Sequence, residues 1–297
     1  MKLTCLSDIH LRHTNPISRS DNYAETCLSK LEQVVKHCNK VGSTLLIGGD
    51  IFERPDNPIW FVNRVIDILN RCAVAIYAIA GNHDLKYHNL ENLKESSLWT
   101  LGEAVHNFAL IDKCNSLILN DKVFLHAFSF GLDPSYVIRP DSYNILMLHT
   151  PIFEKEVPWF MSDAMTADQL VAKYPGFDLY VSGDIHQTCI TDKVINTGSM
   201  MRSTKAQKDH KPCFVTVDTE TGEKEITYFE IEQDVWKLDF EAPADESFSA
   251  DLNELSEVLL ARGEKLCYKD VAIELAKDNT KHQQRLMEIF DGYSERT

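Results

Sequence analysis

Short apolar runs alternate with helical patterns along the first two-thirds of the chain. Leu3–Ser7, Ser43–Ile47, Val74–Ile79, Lys122–His126, Tyr143–Leu148 and Asp178–Val181 lack a polar face and read as strands buried on both sides. Ala24–Val41 and Trp60–Arg71 carry apolar residues at helical spacing, and Met165–Lys173 does so more weakly. Strand followed by helix, repeated, predicts an α/β protein with helices packed on a sheet. Cys213–Asp218 and Lys224–Ile231 flank the polar stretch 219–223 and predict a hairpin.

After Phe240 the pattern changes. Residues 241–248 form a polar, Pro-containing linker, and 249–297 carry two helical patterns, about 250–262 and 270–290, with Gly263 placed to stop the first. The expected division is therefore 1–240, a linker at 241–248, and a helical C-terminal segment at 249–297. From 241 to 297 there are 13 acidic and 7 basic residues, a net of −6, so this segment is no basic arm for DNA.

Composition narrows the class. The chain has 297 residues, 44% hydrophobic and 25% charged, with 30 Lys plus Arg against 45 Asp plus Glu. A net charge of −15 excludes gripping nucleic acid by bulk positive charge, so any such contact must be local or shared with metals or a partner. The eight cysteines never form a Cys-x-x-Cys pair and fall in apolar runs, as expected of buried reduced thiols. No secretory signal and no apolar run of membrane-spanning length is visible, so a cytoplasmic protein with no membrane partner is expected.

The chemistry sits where strands end. Asp8-Ile9-His10 follows the first run, Gly48-Gly49-Asp50 the second and Gly81-Asn82-His83-Asp84 the third. His149 ends the run 143–148, and Gly183-Asp184-Ile185-His186 follows 178–181. Singly, each is an ordinary polar turn. In series, five motifs bring carboxylates, an amide and imidazoles to strand ends, where α/β proteins build sites. Carboxylate oxygen with imidazole nitrogen suits Mn²⁺, Fe or Zn²⁺ better than Ca²⁺ or Mg²⁺ alone.

With these motifs the sequence resembles the calcineurin-like metallophosphoesterase superfamily. Within it, Gly49-Asp50-Ile51-Phe52, Gly81-Asn82-His83-Asp84 and Asn196-Thr197-Gly198-Ser199-Met200-Met201-Arg202 are most similar to the DNA-repair exonuclease branch of phages, bacteria and archaea. The likeness covers residues 1–240. It implies two central mixed β-sheets sandwiched by helices, with a small helical C-terminal extension. It also implies two divalent metal ions, Mn²⁺ in the first place with Mg²⁺ or Fe as substitutes. Asp8, His10 and His186 would hold one ion, Asn82 and His149 the second, and Asp50 would bridge them. His83 would stabilise the transition state or protonate the leaving oxygen. Glu53 would orient His83 and fix its tautomer.

One position departs from the superfamily's Gly-His-x-His. Asp184 replaces an imidazole, and either ligates the second ion, giving a harder site that favours Mn²⁺ or Mg²⁺, or misses it and weakens that site. Ligation is the expectation, because a carboxylate beside the ions would otherwise lack compensation. Arg202, Lys205, Lys208, His210 and Lys211 form the most basic window; such runs are commonly solvated surface, but Arg202 and Lys205 are candidates for the phosphate backbone of a substrate. Tyr87, Trp60 and Phe61 are candidates for base stacking, with core packing the plainer reading of the last two.

The resemblance implies metal-dependent hydrolysis of phosphodiesters in DNA, as a 3′–5′ exonuclease and/or endonuclease. It further implies that the chain is the nuclease subunit of a complex with an SMC-like coiled-coil ATPase, gripped by the C-terminal helices. A homodimer is left open. The alternatives are a phosphodiesterase of small substrates such as cyclic nucleotides, and a non-catalytic scaffold whose metal site Asp184 impairs.

Overall fold

The computed structural model describes residues 1–112, 115–159, 161, 163–204, 207–230 and 235–236. The chain divides into Met1–Lys237 and Leu238–Thr297. The linker and C-terminal helices anticipated after residue 240 lie outside the described residues, as does Lys205.

The first unit is built on two six-stranded mixed sheets. In the first, β1 (Lys2–Leu6), β2 (Thr44–Ile47), β3 (Ile76–Ile79) and β4 (Phe108–Ile111) run parallel. The antiparallel hairpin β13 (Cys213–Asp218) and β14 (Lys224–Tyr228) extends this sheet beside β1. In the second, β6 (Val123–Phe128), β7 (Tyr143–His149), β10 (Leu179–Gly183) and β12 (Val194–Asn196) are parallel, edged by antiparallel β5 (Asn115–Asn120) and β11 (Cys189–Ile190). A two-stranded pair, β8 (Ile152–Phe153) and β9 (Met165–Thr166), stands apart.

Alternation along the strands explains the layers. Leu3, Cys5, Leu46 and Ile79 of the first sheet share one core with Leu125, Ile145, Met147, Leu179 and Val181 of the second. The opposite faces of these strands are also covered. Leu6, Leu45 and Ile47 join the core formed with α1 (Tyr23–Val41) and α2 (Ile59–Leu69), while Leu146, Leu148 and Tyr180 join one formed with α4 (Ala167–Lys173). Uninterrupted apolar runs are therefore what this sandwich requires, since neither face of a central strand meets water.

Helix ends follow local chemistry. Asn22 caps α1 by accepting the Glu25 N–H, and Gly42 ends it in the left-handed region. The run from Met165 is a strand for two residues; Thr166 then caps α4 and exchanges side-chain and main-chain bonds with Gln169, so the helix begins at Ala167. Strands β4 and β5 and helix α3 (Ser97–Ala104) were not anticipated. Among the described residues no helix is long and apolar enough to cross a membrane, and the six described cysteines are free and buried.

Parallel pairing has a consequence for the motifs. The C-terminal ends of β1, β2 and β3 lie side by side, as do those of β7 and β10. All five motifs consequently emerge at strand ends that register brings together.

Candidate metal centre

Leaving its strand, the main chain turns sharply at each acidic motif. Asp8 and His10 both have φ 48°, Asp50 has 50° and Asp184 has 99°. Non-glycine residues rarely adopt the left-handed region, and four such outliers at one locus mark a geometry imposed by surroundings. Those surroundings are main-chain bonds. Asp8 N–H donates to Gly49 O at 3.2 Å, His10 N–H to Asp50 O at 2.9 Å and Leu11 N–H to Ile51 O at 2.8 Å, tying the first motif to the second. The buried Asp84 carboxylate then accepts the N–H groups of Ile51, Phe52 and Gly81, tying the second motif to the third.

Two glycines are required by space. A Cβ on Gly81 would collide with the Asp50 carboxylate, and one on Gly49, whose φ is 98°, would strike the His149 ring.

The side chains converge on two neighbouring points. Asp8, His10 and His186 offer ligand atoms within 4.8 Å of one another, as do Asp8, Asp50 and His149, and also His10, Asp50 and His83. Nε2 of His10 and Nε2 of His186 lie 2.9 Å apart, and Nε2 of His10 is 3.7 Å from Asp50 Oδ2. On the other side, Nε2 of His149 is 3.1 Å from Asn82 Oδ1, 3.5 Å from Asp50 Oδ2 and 3.8 Å from Asp184 Oδ1. Asp50 thus stands between the sets. Asp184 also donates its N–H to Asp8 Oδ1 at 2.9 Å.

Second partners fix each ring. His149 Nδ1–H donates to Gly48 O at 2.8 Å, which turns Nε2 toward the centre and joins β7 to the β2 turn. His10 Nδ1 faces the Glu53 carboxylate at 3.0 Å. His83 Nδ1–H donates to the main-chain carbonyl of Glu53 at 3.1 Å, and its N–H to Asp50 Oδ1 at 2.9 Å. The contact of Glu53 with His83 is thus made by its main-chain carbonyl, while its carboxylate lies beside His10, whose ring meets that of His83 edge-on at 4.9 Å.

The electrostatics are those of a site built for cations. Burial, then the nearby Asp50, raises the Asp84 carboxyl to about 7. Burial raises Asp8 to about 6 against the pull of His149 and His10. Burial alone would lower His149, yet Asp50, Asp8 and Asp184 raise it to about 10. Burial and then His10 push His186 down to about 4. Asp8 Oδ2 is buried with no hydrogen-bond partner. A buried carboxylate oxygen without a donor, beside two imidazole nitrogens aimed at each other, fits a divalent cation.

The basic window behaves differently. Arg202 is only 4% exposed, and its guanidinium donates to Lys208 O at 3.0 Å and stacks over Trp236 at 5.7 Å. At least one of the donors expected to meet substrate phosphate is thus turned to a main-chain carbonyl of the same window. Trp60 is half-exposed and Tyr87 largely exposed, while Phe61 is buried in the core. No role was expected of Asp84 or of the Ser199–Met200 main chain, although Asp84 closes the Gly-Asn-His-Asp motif and Ser199–Met200 lies within the motif 196–202.

Comparison with known proteins places this geometry. Residues 1–188 match the family model of the calcineurin-like phosphoesterases. No curated protein matches the chain. Among solved structures, TT1561 of Thermus thermophilus is similar at 11% identity and a TM-score of 0.50, over 76% of this chain and 98% of that one. A structure described as a novel archaeal phosphodiesterase is similar at 16% identity and a TM-score of 0.42, over 77% of this chain and 100% of that one. A protein of unknown function from Aquifex aeolicus, AQ665, follows at 16% identity and a TM-score of 0.32, over 66% and 89%. With its two mixed sheets, its acidic and imidazole motifs gathered at the strand ends and a family match over most of its length, this chain belongs to the calcineurin-like phosphoesterase family.

Proposed function

We propose that this phosphoesterase is a two-metal phosphodiesterase acting on DNA, as a 3′–5′ exonuclease and/or endonuclease. The observation that carries the metal reading is the buried, partnerless Oδ2 of Asp8 beside the facing Nε2 atoms of His10 and His186. Asp8, His10 and His186 would hold one ion, Asn82, His149 and Asp184 the other, with Asp50 between them. Divalent cations held there supply an activated water and neutralise charge on the phosphoryl oxygens. Mn²⁺ is the ion this mixed donor set favours, with Mg²⁺ or Fe as substitutes.

The protein's own groups complete the chemistry. His83 gives its Nδ1–H to Glu53 O, so Nε2 is the atom that, in the doubly protonated ring, would pass a proton to the leaving oxygen and keep the Nδ1–H bond. Glu53 holds His10 with Nε2 directed at the carboxylates. Preference for DNA is supported by the nuclease-like motif 196–202, whose Ser199 and Met200 N–H groups bind the carbonyls of His186 and Asp8. With −15 net charge, DNA contact beyond the centre would be shared with a partner, and an SMC-like ATPase held by residues 249–297 is that partner in this reading.

The test sets labelled single- and double-stranded DNA against a cyclic nucleotide, with Mn²⁺ and the purified protein. Cleavage of DNA, lost on chelation, is expected; turnover of the cyclic nucleotide alone would defeat the nuclease reading. Saturating Mn²⁺ with no hydrolysis of either substrate would favour a scaffold. Deleting 247–297 should spare hydrolysis of a small diester and abolish association with the ATPase.

A further inference from the structure

We infer that His210 is a positioning residue for Asp8, acting through the single peptide unit that joins Ser199 to Met200. Asp8 sits in the left-handed region and keeps that conformation only if its main chain is held on both sides. On one side its N–H donates to Gly49 O at 3.2 Å; on the other its carbonyl accepts the Met200 N–H at 3.0 Å. The opposite end of that same amide, the Ser199 carbonyl, accepts from His210 Nε2 at 2.6 Å. A carbonyl only accepts, so Nε2 carries the hydrogen. Bonds at the two ends of one amide polarise it in the same sense, and each strengthens the other.

The segment is pinned as a whole. Met200 O accepts Lys30 Nζ at 3.2 Å, and Arg202 O accepts Arg19 Nη1 at 2.7 Å. Its Ser199 N–H also holds the carbonyl of His186 at 3.1 Å. Two members of one candidate ligand set, Asp8 and His186, are therefore held through adjacent amides of a stretch anchored from behind by α1, the loop before it and His210. Burial lowers the His210 pKa, the Ser199 bond opposing it and Lys30 and Arg202 acting the same way as burial. His210 belongs to the basic window, yet it faces inward.

The inference rests on the metal-centre reading and not on DNA as substrate. Its test is the affinity for Mn²⁺ alone, by calorimetry or electron paramagnetic resonance on the full chain, beside the melting temperature of the metal-free protein. His210→Leu, which removes the donor, should weaken Mn²⁺ binding by about tenfold or more, the usual cost of losing an outer partner of a ligand. His210→Gln, which can present an N–H at a similar distance, should restore it. A lower melting temperature with unchanged affinity would reduce His210 to a structural role and overturn the proposal. Should His210→Leu fail to fold, His210→Asn, polar but too short to reach Ser199 O, must show the same loss; wild-type affinity there would overturn it. Wild-type protein that takes up no Mn²⁺ would bring down the metal-centre reading itself, and this inference with it.

Discussion

The carboxylate of Glu53 lies 3.0 Å from Nδ1 of His10, and it is the peptide carbonyl of Glu53, not its side chain, that meets His83. One residue thus orients two histidines by different atoms, and mutation separates them. Glu53→Ala deletes the partner of His10 while leaving the His83 bond in place. Affinity for metal at the Asp8–His10–His186 set should fall by roughly 10- to 100-fold. Turnover measured against Mn²⁺ concentration should shift to higher metal and recover at saturation; a loss that no amount of Mn²⁺ repairs would mean that the side chain serves His83 after all.

His83→Ala should behave in the opposite way. Asp8, Asp50, His149 and His186 stay in place, so metal content by elemental analysis should be close to wild type. Turnover should drop by about 10²–10⁴, the range for removing a proton-transfer group. Because His83 also lies within ligand range of His10 and Asp50, loss of an ion in this variant would reassign it from proton donor to ligand.

The glycine at 81 touches the site by having no side chain. A methyl group there would displace the Asp50 carboxylate, so Gly81→Ala should lower both stability and metal content. A loss on the order of 1–3 kcal/mol is expected from the overpacking. Unchanged melting and wild-type Mn²⁺ uptake would show that Asp50 can shift without consequence.

Acidity gives a further check. In the metal-free protein, His149 is raised to about 10 by Asp50, Asp8 and Asp184 working against burial. Its stabilising contribution is complete below the ordinary histidine pKa and fades as pH rises through about 10, since the folded state holds the proton that the unfolded state has released. The melting temperature of EDTA-treated protein should therefore decline between about pH 7 and 10. Metal must displace that proton, so Mn²⁺ binding should release protons at pH 7 and tighten as pH rises. Calorimetry in two buffers of different ionisation enthalpy reads the release; identical heats in both would contradict it.

Arg202→Ala should act on stability and not on substrate. Its guanidinium is held by Lys208 O and the Trp236 ring inside the fold. A lower melting temperature with unchanged KM for an oligonucleotide is expected. A raised KM at constant stability would return Arg202 to the substrate surface.

How much was legible beforehand follows from what each signal depends on. Buried strands announce themselves by unbroken apolar runs, and the acidic and imidazole motifs stand directly after them, so the α/β class and the gathering of Asp8, His10, Asp50, Asn82, His149 and His186 could be read from spacing and likeness. The short strands β4 and β5 escaped because exposed or half-buried apolar positions, Ala109 and Leu110 in the first and Leu117 and Ile118 in the second, blur their pattern. The setting of Arg202 was illegible for a related reason: a basic window looks the same whether its charges face water or, as Arg202 Nη1 does, a main-chain carbonyl. The sequence by itself determined which residue types stand at the strand ends, because these are local properties of the chain. Only the tertiary structure decided which carboxylate serves which ring, that Asp84 binds two motifs together and that His210 faces Ser199. Those choices depend on distances between segments far apart along the chain, which packing of the two sheets sets and no local pattern encodes.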